Sequence, residues 1–308
     1  MHSIFLYIFT LVLVGLSVWY MIWISKWCEI LNTIEFGTIY TSSLLWSVGI
    51  YKYTQQHSES TYTHPHDMDI VHTQQGNKAC VVNRSVKTFP QDYTTSEVDH
   101  LFSTYTTLYI QNLDRNALPQ TTCHIVALPL GVDFHTIATK PFWGIPQTSW
   151  QNQEKHLLSL RNKALPLVQR KRKTLVTWNN TSTTSNRHTK NGYKSRPQLW
   201  KECMSNSDVF DIGTGNRNET WKKMSQYAFV YSPIGDGFDC HRTWEALALG
   251  CIVIAQSNPT IKEFVDKYPI ILHDDPDKIT QEDLQRWQQQ YTPATLEDLQ
   301  IRNFLNFN

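Results

Sequence analysis

The chain has 308 residues, a formal net charge of +1 and 41% hydrophobic residues, which is typical of a globular protein rather than a disordered one. This length allows one large domain or two small ones. The net charge is near zero and only 18% of the residues are charged, which argues against a general nucleic-acid binder, because backbone contacts to a nucleic acid need an excess of basic residues.

The first element is an uncharged stretch from Ile4 to Ile24, which is long enough to cross a hydrocarbon core of about 30 Å as a helix. A cleaved signal peptide would have small residues before its cleavage site, whereas Trp19 and Trp23 occupy that region. We therefore predict a single-pass anchor over residues 1–25 that is not cleaved. The flanking charges are too few to fix its orientation. The apolar stretch from Phe36 to Tyr51 is shorter and is predicted as a core or membrane-surface segment.

Residues 26–77 are predicted to form a membrane-proximal segment and a stem. The part from Thr54 to Gln75 is polar and rich in His, Thr and Gln, as expected of a stem or surface loop. Four of its histidines lack the paired spacing of a zinc site and are predicted to be solvated: His57, His64, His66 and His72.

An N-terminal lobe is predicted for residues 78–169. The stretch from Ser96 to Ile110 has helix-like apolar spacing, and the apolar run from His124 to Phe134 is typical of a buried strand. Asp133 and His135 lie at the end of that run, where a loop after a strand would face a cleft, so either could deprotonate a hydroxyl group. We prefer Asp133 as this base. In the alternative interpretation, Asp133 caps the next segment and His135 is an ordinary loop residue.

A C-terminal lobe is predicted for residues 170–308, beginning at the basic run from Arg170 to Lys173. From there strands alternate with helices, which indicates βαβ units and a parallel sheet in a doubly wound, Rossmann-like arrangement. The predicted strands are 174–178, 208–212, 227–232, 251–255 and 270–273, and the predicted helices include 218–226, 240–249 and 260–268.

The most informative stretch runs from Tyr227 to Pro259 and has the order strand, glycine loop, helix, strand. Gly235 and Gly237 break the chain after the first strand. Asp239 is predicted to be the N-cap of the helix, and Gly250 is predicted to follow its last turn with a positive φ.

The first turn of this helix is a predicted anion site. Its free N–H groups and the positive end of the helix dipole point to one place, and His241 and Arg242 add donors there. Glu245 lies one turn after His241, on the face that would look into a cleft, whereas Trp244 packs against the sheet. A glycine loop or a single Arg at a helix end is weak evidence, but their combination is much more specific.

A family resemblance rests on the string SP-x-G-x-G-x-D-x-HRTWEAL-x-LG-x-I, from Ser232 to Ile252. It resembles the donor-binding signature of exostosin-like glycosyltransferases, and the block from Gly131 to Thr136 is similar to a weaker block of that family. The resemblance covers about Leu128 to Thr280 and is most specific near residues 229–258.

The resemblance implies a GT-B-like fold, with two Rossmann-like lobes, the N-terminal one reduced, behind the transmembrane helix. A nucleotide-sugar donor would bind mainly to the C-terminal lobe. Glu245 would bond hydroxyl groups of its ribose or sugar, and Arg242 with His241 would hold its diphosphate. Such fixed donors stabilise the leaving diphosphate without a metal, so no cofactor is expected. The expected donor-binding residues are Ser232, Gly235, Gly237, Asp239, His241, Arg242, Glu245 and Arg187.

No metal site is predicted, because the D-x-D strings at Asp67 to Asp69 and Asp275 to Asp277 do not follow apolar strands in the context that such sites need. The prediction is a membrane-anchored glycosyltransferase that modifies a glycan or a protein-linked glycan, with Asp133, His135 and Glu245 as its catalytic candidates. Sequons suit a lumenal location in the Golgi or ER if the host is eukaryotic. The alternative is a non-catalytic, membrane-anchored protein that binds carbohydrate or nucleotide.

Overall fold

The computed structural model describes Leu44 and residues 68–74, 77–83, 87–184 and 186–305, with the backbone alone for 68–74, 77, 78, 83 and 187. The predicted anchor and most of the predicted stem therefore lie outside the described residues. Within the described ranges, no helix is both long and apolar enough to cross a membrane.

Two sheets organise the described part of the chain. The first contains four strands in the order β1-β2-β3-β4, with β1 antiparallel to β2 and the other pairs parallel. The second contains five parallel strands in the order β6-β5-β7-β8-β9. The strands are β1 (Met68–Gln74), β2 (Asn77–Asn83), β3 (Thr107–Gln111), β4 (His124–Leu128), β5 (Lys171–Val176), β6 (Phe210–Ile212), β7 (Tyr227–Ser232), β8 (Ile252–Ala255) and β9 (Ile270–Leu272).

Helices alternate with these strands, so the predicted α/β class is confirmed, with parallel sheets that are compatible with a Rossmann-like fold. Counted from β5, the second sheet has the strand order 2-1-3-4-5, which is a common doubly wound order. The helices are α1 (Thr95–Thr104), α2 (His135–Thr139), α3 (Trp150–Lys163), α4 (Asn186–Lys190), α5 (Arg196–Ser205), α6 (Arg217–Met224), α7 (His241–Ala248), α8 (Pro259–Lys262) and α9 (Gln281–Gln290).

Two predicted segments in the first half of the chain are wrong. Met68–Gln74, predicted as the end of a polar stem, is strand β1 and pairs along its whole length with β2. The helix-like pattern extended to Ile110, but α1 ends at Thr104, where Tyr105 takes an extended conformation. The β-branched and aromatic residues after it form β3, which lies between two parallel neighbours.

The second sheet follows the prediction more closely. Its five strands and the helices α6 and α7 overlap the predicted ranges. The predicted helix from Thr260 to Tyr268 is too long, because α8 ends at Lys262 and turns follow it. Its start is fixed by Asn258, whose side chain accepts a hydrogen bond from the N–H of Ile261.

A glycine and two arginines cap the carboxyl end of α7. Gly250 has a φ of +78°, as predicted, and an added Cβ there would lie 2.1 Å from Nη1 of Arg161. Arg170 donates to the Leu249 carbonyl at 2.9 Å, and Arg161 donates to the Leu247 carbonyl at 3.4 Å. Two cations thus satisfy carbonyl groups at the negative end of the helix dipole.

A buried carboxylate, that of Asp239, joins the two sheets. Its Oδ2 accepts hydrogen bonds from the Leu130 N–H, beyond β4, and from the Trp244 indole N–H in α7, each at 2.7 Å. Its Oδ1 accepts from the N–H of Cys240. Burial raises the pKa of Asp239, and these three donors oppose that rise. The predicted N-cap role is therefore wrong: the N-cap is Cys240, which has no side-chain capping bond.

Replacing this carboxylate is expected to destabilise the fold. Asp239→Asn replaces one accepting oxygen with an NH₂ group, which cannot accept a hydrogen bond. At least one N–H group that now bonds Asp239 would then lose its acceptor, so the free energy of unfolding should fall by about 1–3 kcal/mol. Urea denaturation of the full chain in detergent measures this loss. Asp99→Asn, at an exposed position in α1, is the matched control. Equal stability of the two variants would contradict the structural role of Asp239.

Candidate functional site

The candidate site lies at the carboxyl ends of β5 and β7, the central neighbours of the five-stranded sheet. In a doubly wound sheet the strand order reverses at this point, and the crevice outside the strand ends is where ligands bind. Thr177 and Trp178 follow β5, and α7 begins after the loop that follows β7. Arg242 connects them: its Nε donates to Thr177 Oγ1 at 2.5 Å, and its guanidinium carbon lies 5.8 Å from the Trp178 ring centroid.

Two arginines meet at the start of α7. Arg196, the first residue of α5, donates from Nε to the Ile234 carbonyl at 3.0 Å. One guanidinium nitrogen of Arg196 and one of Arg242 each lie 3.7 Å from Cys240 Sγ. Burial, and then the charge of Arg242, lower the pKa of Arg196. An anion bound here would offset the repulsion between the two cations and would also meet the positive end of the α7 dipole.

The glycine loop makes room for Arg196. An added Cβ at Gly235 would lie 2.7 Å from Arg196 Nη2, so a side chain there would displace the guanidinium. The loop closes through the Gly235 N–H, which donates to the Gly237 carbonyl at 3.1 Å. The buried hydroxyl groups of Ser232 and Thr243 are 2.8 Å apart and hold the end of β7 to α7. Ser232, Gly235 and Gly237, which were predicted to bind the donor, thus help to fix the shape and position of the loop.

Arg196 is a residue that the sequence did not reveal. The predicted second arginine was Arg187, which belongs to α4 and whose side chain lies outside the described part of the chain. Ser195, whose hydroxyl accepts from the N–H of Gln198, was a recognisable helix start. That signal places Arg196 at a helix N-terminus, but it does not show that this helix faces α7.

Asp133, His135 and His241 form a second group, which we call the Asp-His-His cluster. One ligand atom from each of the three side chains lies within 4.8 Å of the others. His135 Nδ1 is 3.1 Å from Asp133 Oδ1. His241 Nδ1 is 2.6 Å from the Gly131 carbonyl, and since a carbonyl only accepts, this nitrogen carries the proton. The structure places His241 beside the two candidate bases. Its predicted contact with a diphosphate stays a prediction.

The carboxylate of Asp133 is buried and ionised. Burial would raise its pKa, but the charges of His241, His135 and Arg217 and the Thr136 N–H bond together lower it to about 2. Asp133 Oδ1 accepts from the Thr136 N–H at 3.0 Å, and Oδ2 accepts from the Thr136 hydroxyl at 2.8 Å. Asp133 thus bonds the first turn of α2, as the capping interpretation proposed, and it also contacts His135. Its role as a base stays a prediction.

Glu245 lies in α7 beside Arg217, whose Nη2 is 3.4 Å from Glu245 Oε1. The guanidinium carbon of Arg217 is 4.5 Å from the Trp221 ring centroid and 5.6 Å from that of Trp143. Its Nη1 also donates to Gln153 Oε1 at 3.1 Å. Arg217 thus contacts two indole rings, and its guanidinium group lies beside Glu245.

A cavity of about 500 Å³ lies beyond the ends of β8 and β9. Its wall is mostly polar and includes Gln256, Asn258, Asp274, Lys194 and Tyr193. The ring of Tyr193 also packs on Phe238 of the glycine loop, with centroids 5.1 Å apart. The cavity therefore adjoins the loop that places Arg196.

The two D-x-D strings provide no metal site among the described side chains. Asp275 bonds the ammonium groups of Lys194 and Lys278 at 2.8 and 2.7 Å, and these hydrogen bonds lower its pKa to about 2. The side chains of Asp67 and Asp69 lie outside the described residues.

Comparison with known proteins adds no relative: the chain matches no protein-family model, and it matches no curated protein.

The arginine pair is expected to bind diphosphate. A hydrogen bond to a charged group contributes about 1.5–3 kcal/mol, so Arg196→Gln and Arg242→Gln should each weaken pyrophosphate binding by about 10–100-fold. Isothermal titration of the full chain in detergent with pyrophosphate measures this affinity. Arg286→Gln on α9, where the side chain is 62% exposed, is the control. An unchanged affinity in the first two variants would remove the arginine pair from the site.

Proposed function

We propose that the protein is a membrane-anchored glycosyltransferase that moves a sugar from a nucleotide-sugar donor to a glycan or protein-linked glycan. The observation that carries this proposal is the arginine pair at the start of α7, which lies at the ends of β5 and β7. The resemblance to exostosin-like enzymes supports it from the sequence. In this proposal the two sheets belong to the two lobes of a GT-B-like fold.

The donor would bind to the C-terminal lobe. Its diphosphate would lie between Arg196 and Arg242, where fixed positive charge stabilises the leaving group as the glycosidic bond breaks. Its nucleoside would fill the cavity beyond β8 and β9, since a cavity of about 500 Å³ lined by amide, carboxylate and hydroxyl groups suits a base and a ribose. Glu245 would bond a hydroxyl group of the sugar or of the ribose.

The acceptor would enter beside the Asp-His-His cluster. His135 is partly exposed and lies in contact with the buried Asp133, so it is better placed than Asp133 to accept a proton from a hydroxyl group. Phe142 and Trp143 are 42% and 49% exposed, and Trp143 packs on Arg217, which contacts Glu245. Exposed aromatic faces near a site provide apolar surface on which sugar rings can pack.

We also propose a cellular location for the protein and the partners that it does not need. An uncleaved anchor over residues 1–25 would make this a single-pass membrane protein of the Golgi or ER in a eukaryotic host. Neither a metal nor a cofactor is needed for the donor chemistry described above, because guanidinium groups neutralise the diphosphate. Nucleic acid is not an expected partner, since the chain has no basic excess.

Donor turnover tests the proposed function without a known acceptor. The full chain in detergent is incubated with a panel of UDP- and GDP-sugars, and the released nucleoside diphosphate is measured. We expect hydrolysis of at least one donor, and Glu245→Gln should lower kcat/KM by about 10–100-fold, because a charged hydrogen bond to the donor is weakened. Glu282→Gln, at an exposed position of α9, should leave the rate unchanged.

Two outcomes would count against the proposal. Equal rates in wild type and Glu245→Gln would remove Glu245 from the site. Binding of a nucleotide sugar, detected as a rise in thermal stability, with no turnover of any donor on the panel and no transfer to added oligosaccharides would favour the non-catalytic binding protein.

A further inference from the structure

The Asp-His-His cluster has the composition of a metal site. Two imidazoles and one carboxylate are a ligand set that binds zinc and other divalent transition metals. Asp133 and His135 lie in one segment after β4, and His241 begins α7, so the fold brings the ligands together from two separate parts of the chain. We infer that these three side chains bind a divalent transition-metal ion such as Zn²⁺.

The distances between the ligand atoms suit this inference. Zinc lies about 2.0–2.2 Å from imidazole nitrogen and carboxylate oxygen, which places neighbouring ligand atoms about 3–3.5 Å apart. Asp133 Oδ1 and His135 Nδ1 are 3.1 Å apart, so this edge already has the required length. Each of the three side chains offers a ligand atom within 4.8 Å of the others, so the set would close slightly around a bound ion.

The groups behind the ligands also suit a metal. A metal-binding histidine commonly donates its other ring N–H to a backbone carbonyl, which fixes its tautomer and orientation. His241 does this through Nδ1, which donates to the Gly131 carbonyl at 2.6 Å and leaves Nε2 with its lone pair. The carboxylate of Asp133 is held in turn by the N–H and hydroxyl groups of Thr136. Two of the three ligands are therefore already oriented by neighbouring groups.

The exposure of the three side chains also suits a metal ion with an open coordination position. Asp133 is buried, whereas His135 and His241 are partly exposed. Water or a hydroxyl group can therefore reach a fourth position, which is the arrangement of a catalytic rather than a structural zinc ion.

The inference goes beyond the proposed function and does not rest on it. A hydroxyl group bound at the open position of a metal ion has a lowered pKa, so an ion would replace His135 as the means of activating an acceptor hydroxyl. The same ion could serve a different reaction. The test is therefore a measurement of metal binding rather than of sugar transfer.

Zinc content after stripping and reloading tests the site. The full chain in detergent is treated with EDTA, incubated with ZnCl₂ and passed through a desalting column, and retained zinc is measured by elemental analysis. We expect about one zinc ion per chain in the wild type, and a loss of affinity of about 100-fold or more in His135→Ala and in His241→Gln, because each lacks one ligand.

Two controls address the other histidines of the chain. A variant with both His64→Ala and His66→Ala removes neighbouring histidines of the predicted stem, and His100→Ala removes an exposed histidine of α1. Both controls should retain the zinc ion. If they lose it while His135→Ala and His241→Gln keep it, the ion belongs to another part of the chain and the inference is wrong.

Substitution with Co²⁺ gives a second measurement that needs no variant. A cobalt ion with two imidazoles, one carboxylate and one water in a four-coordinate site should give intense visible absorption, whereas six-coordinate Co²⁺ gives weak bands. Weak bands in the wild type, or failure to retain zinc after desalting, would overturn the inference even if the variants did not fold.

Discussion

The geometry of the site depends on one buried carboxylate. Asp239 accepts hydrogen bonds from Leu130 beyond β4 and from Trp244 and Cys240 at the start of α7. The segment after Leu130 carries Gly131 and the two candidate bases, and α7 carries His241. This side chain and the bond from His241 to the Gly131 carbonyl therefore hold the segment beyond the four-stranded sheet against α7. Because all its bonds are inside the protein, water cannot substitute for any of them without opening the contact.

The sequence predicted best those elements whose signal is local. β7 and β8 are buried along nearly their whole length, so they appear as short apolar runs between turn residues. All five strands of the second sheet were found near their observed positions. β1 and β3 were missed for another reason. β1 exists because β2 offers it an edge, and β3 because β2 and β4 lie on either side of it. Pairing of this kind is a property of the partner strand, and no pattern in Met68–Gln74 alone reveals it.

In the candidate site, too, the residues with a local sequence signal were predicted and those placed by distant packing were not. Residues of α7 and its glycine loop could be identified because they lie in one continuous stretch, in which helix periodicity decides which side chains share a face. Arg196 and Arg217 could not, because each reaches the site through the packing of a separate helix. The bond from His241 to Gly131 joins residues that are 110 positions apart, so the sequence did not show that His241 lies beside Asp133 and His135. The capping role predicted for Asp239 was wrong because local capping rules do not consider the segment beyond β4, which its carboxylate binds.

Arg161 and Arg170, at the carboxyl end of α7, change the electrostatic field of that helix. An isolated helix is a dipole, and its field falls off steeply because the charges of about +0.5 and −0.5 at its ends cancel at a distance. Here Arg161 and Arg170 bind the last carbonyl groups, and their two positive charges more than offset the charge of about −0.5 at the carboxyl end. The opposite end is then an uncancelled positive pole, whose field falls off more slowly, as that of a single charge does. An anion in the crevice would therefore be attracted by a helix that behaves as a cation.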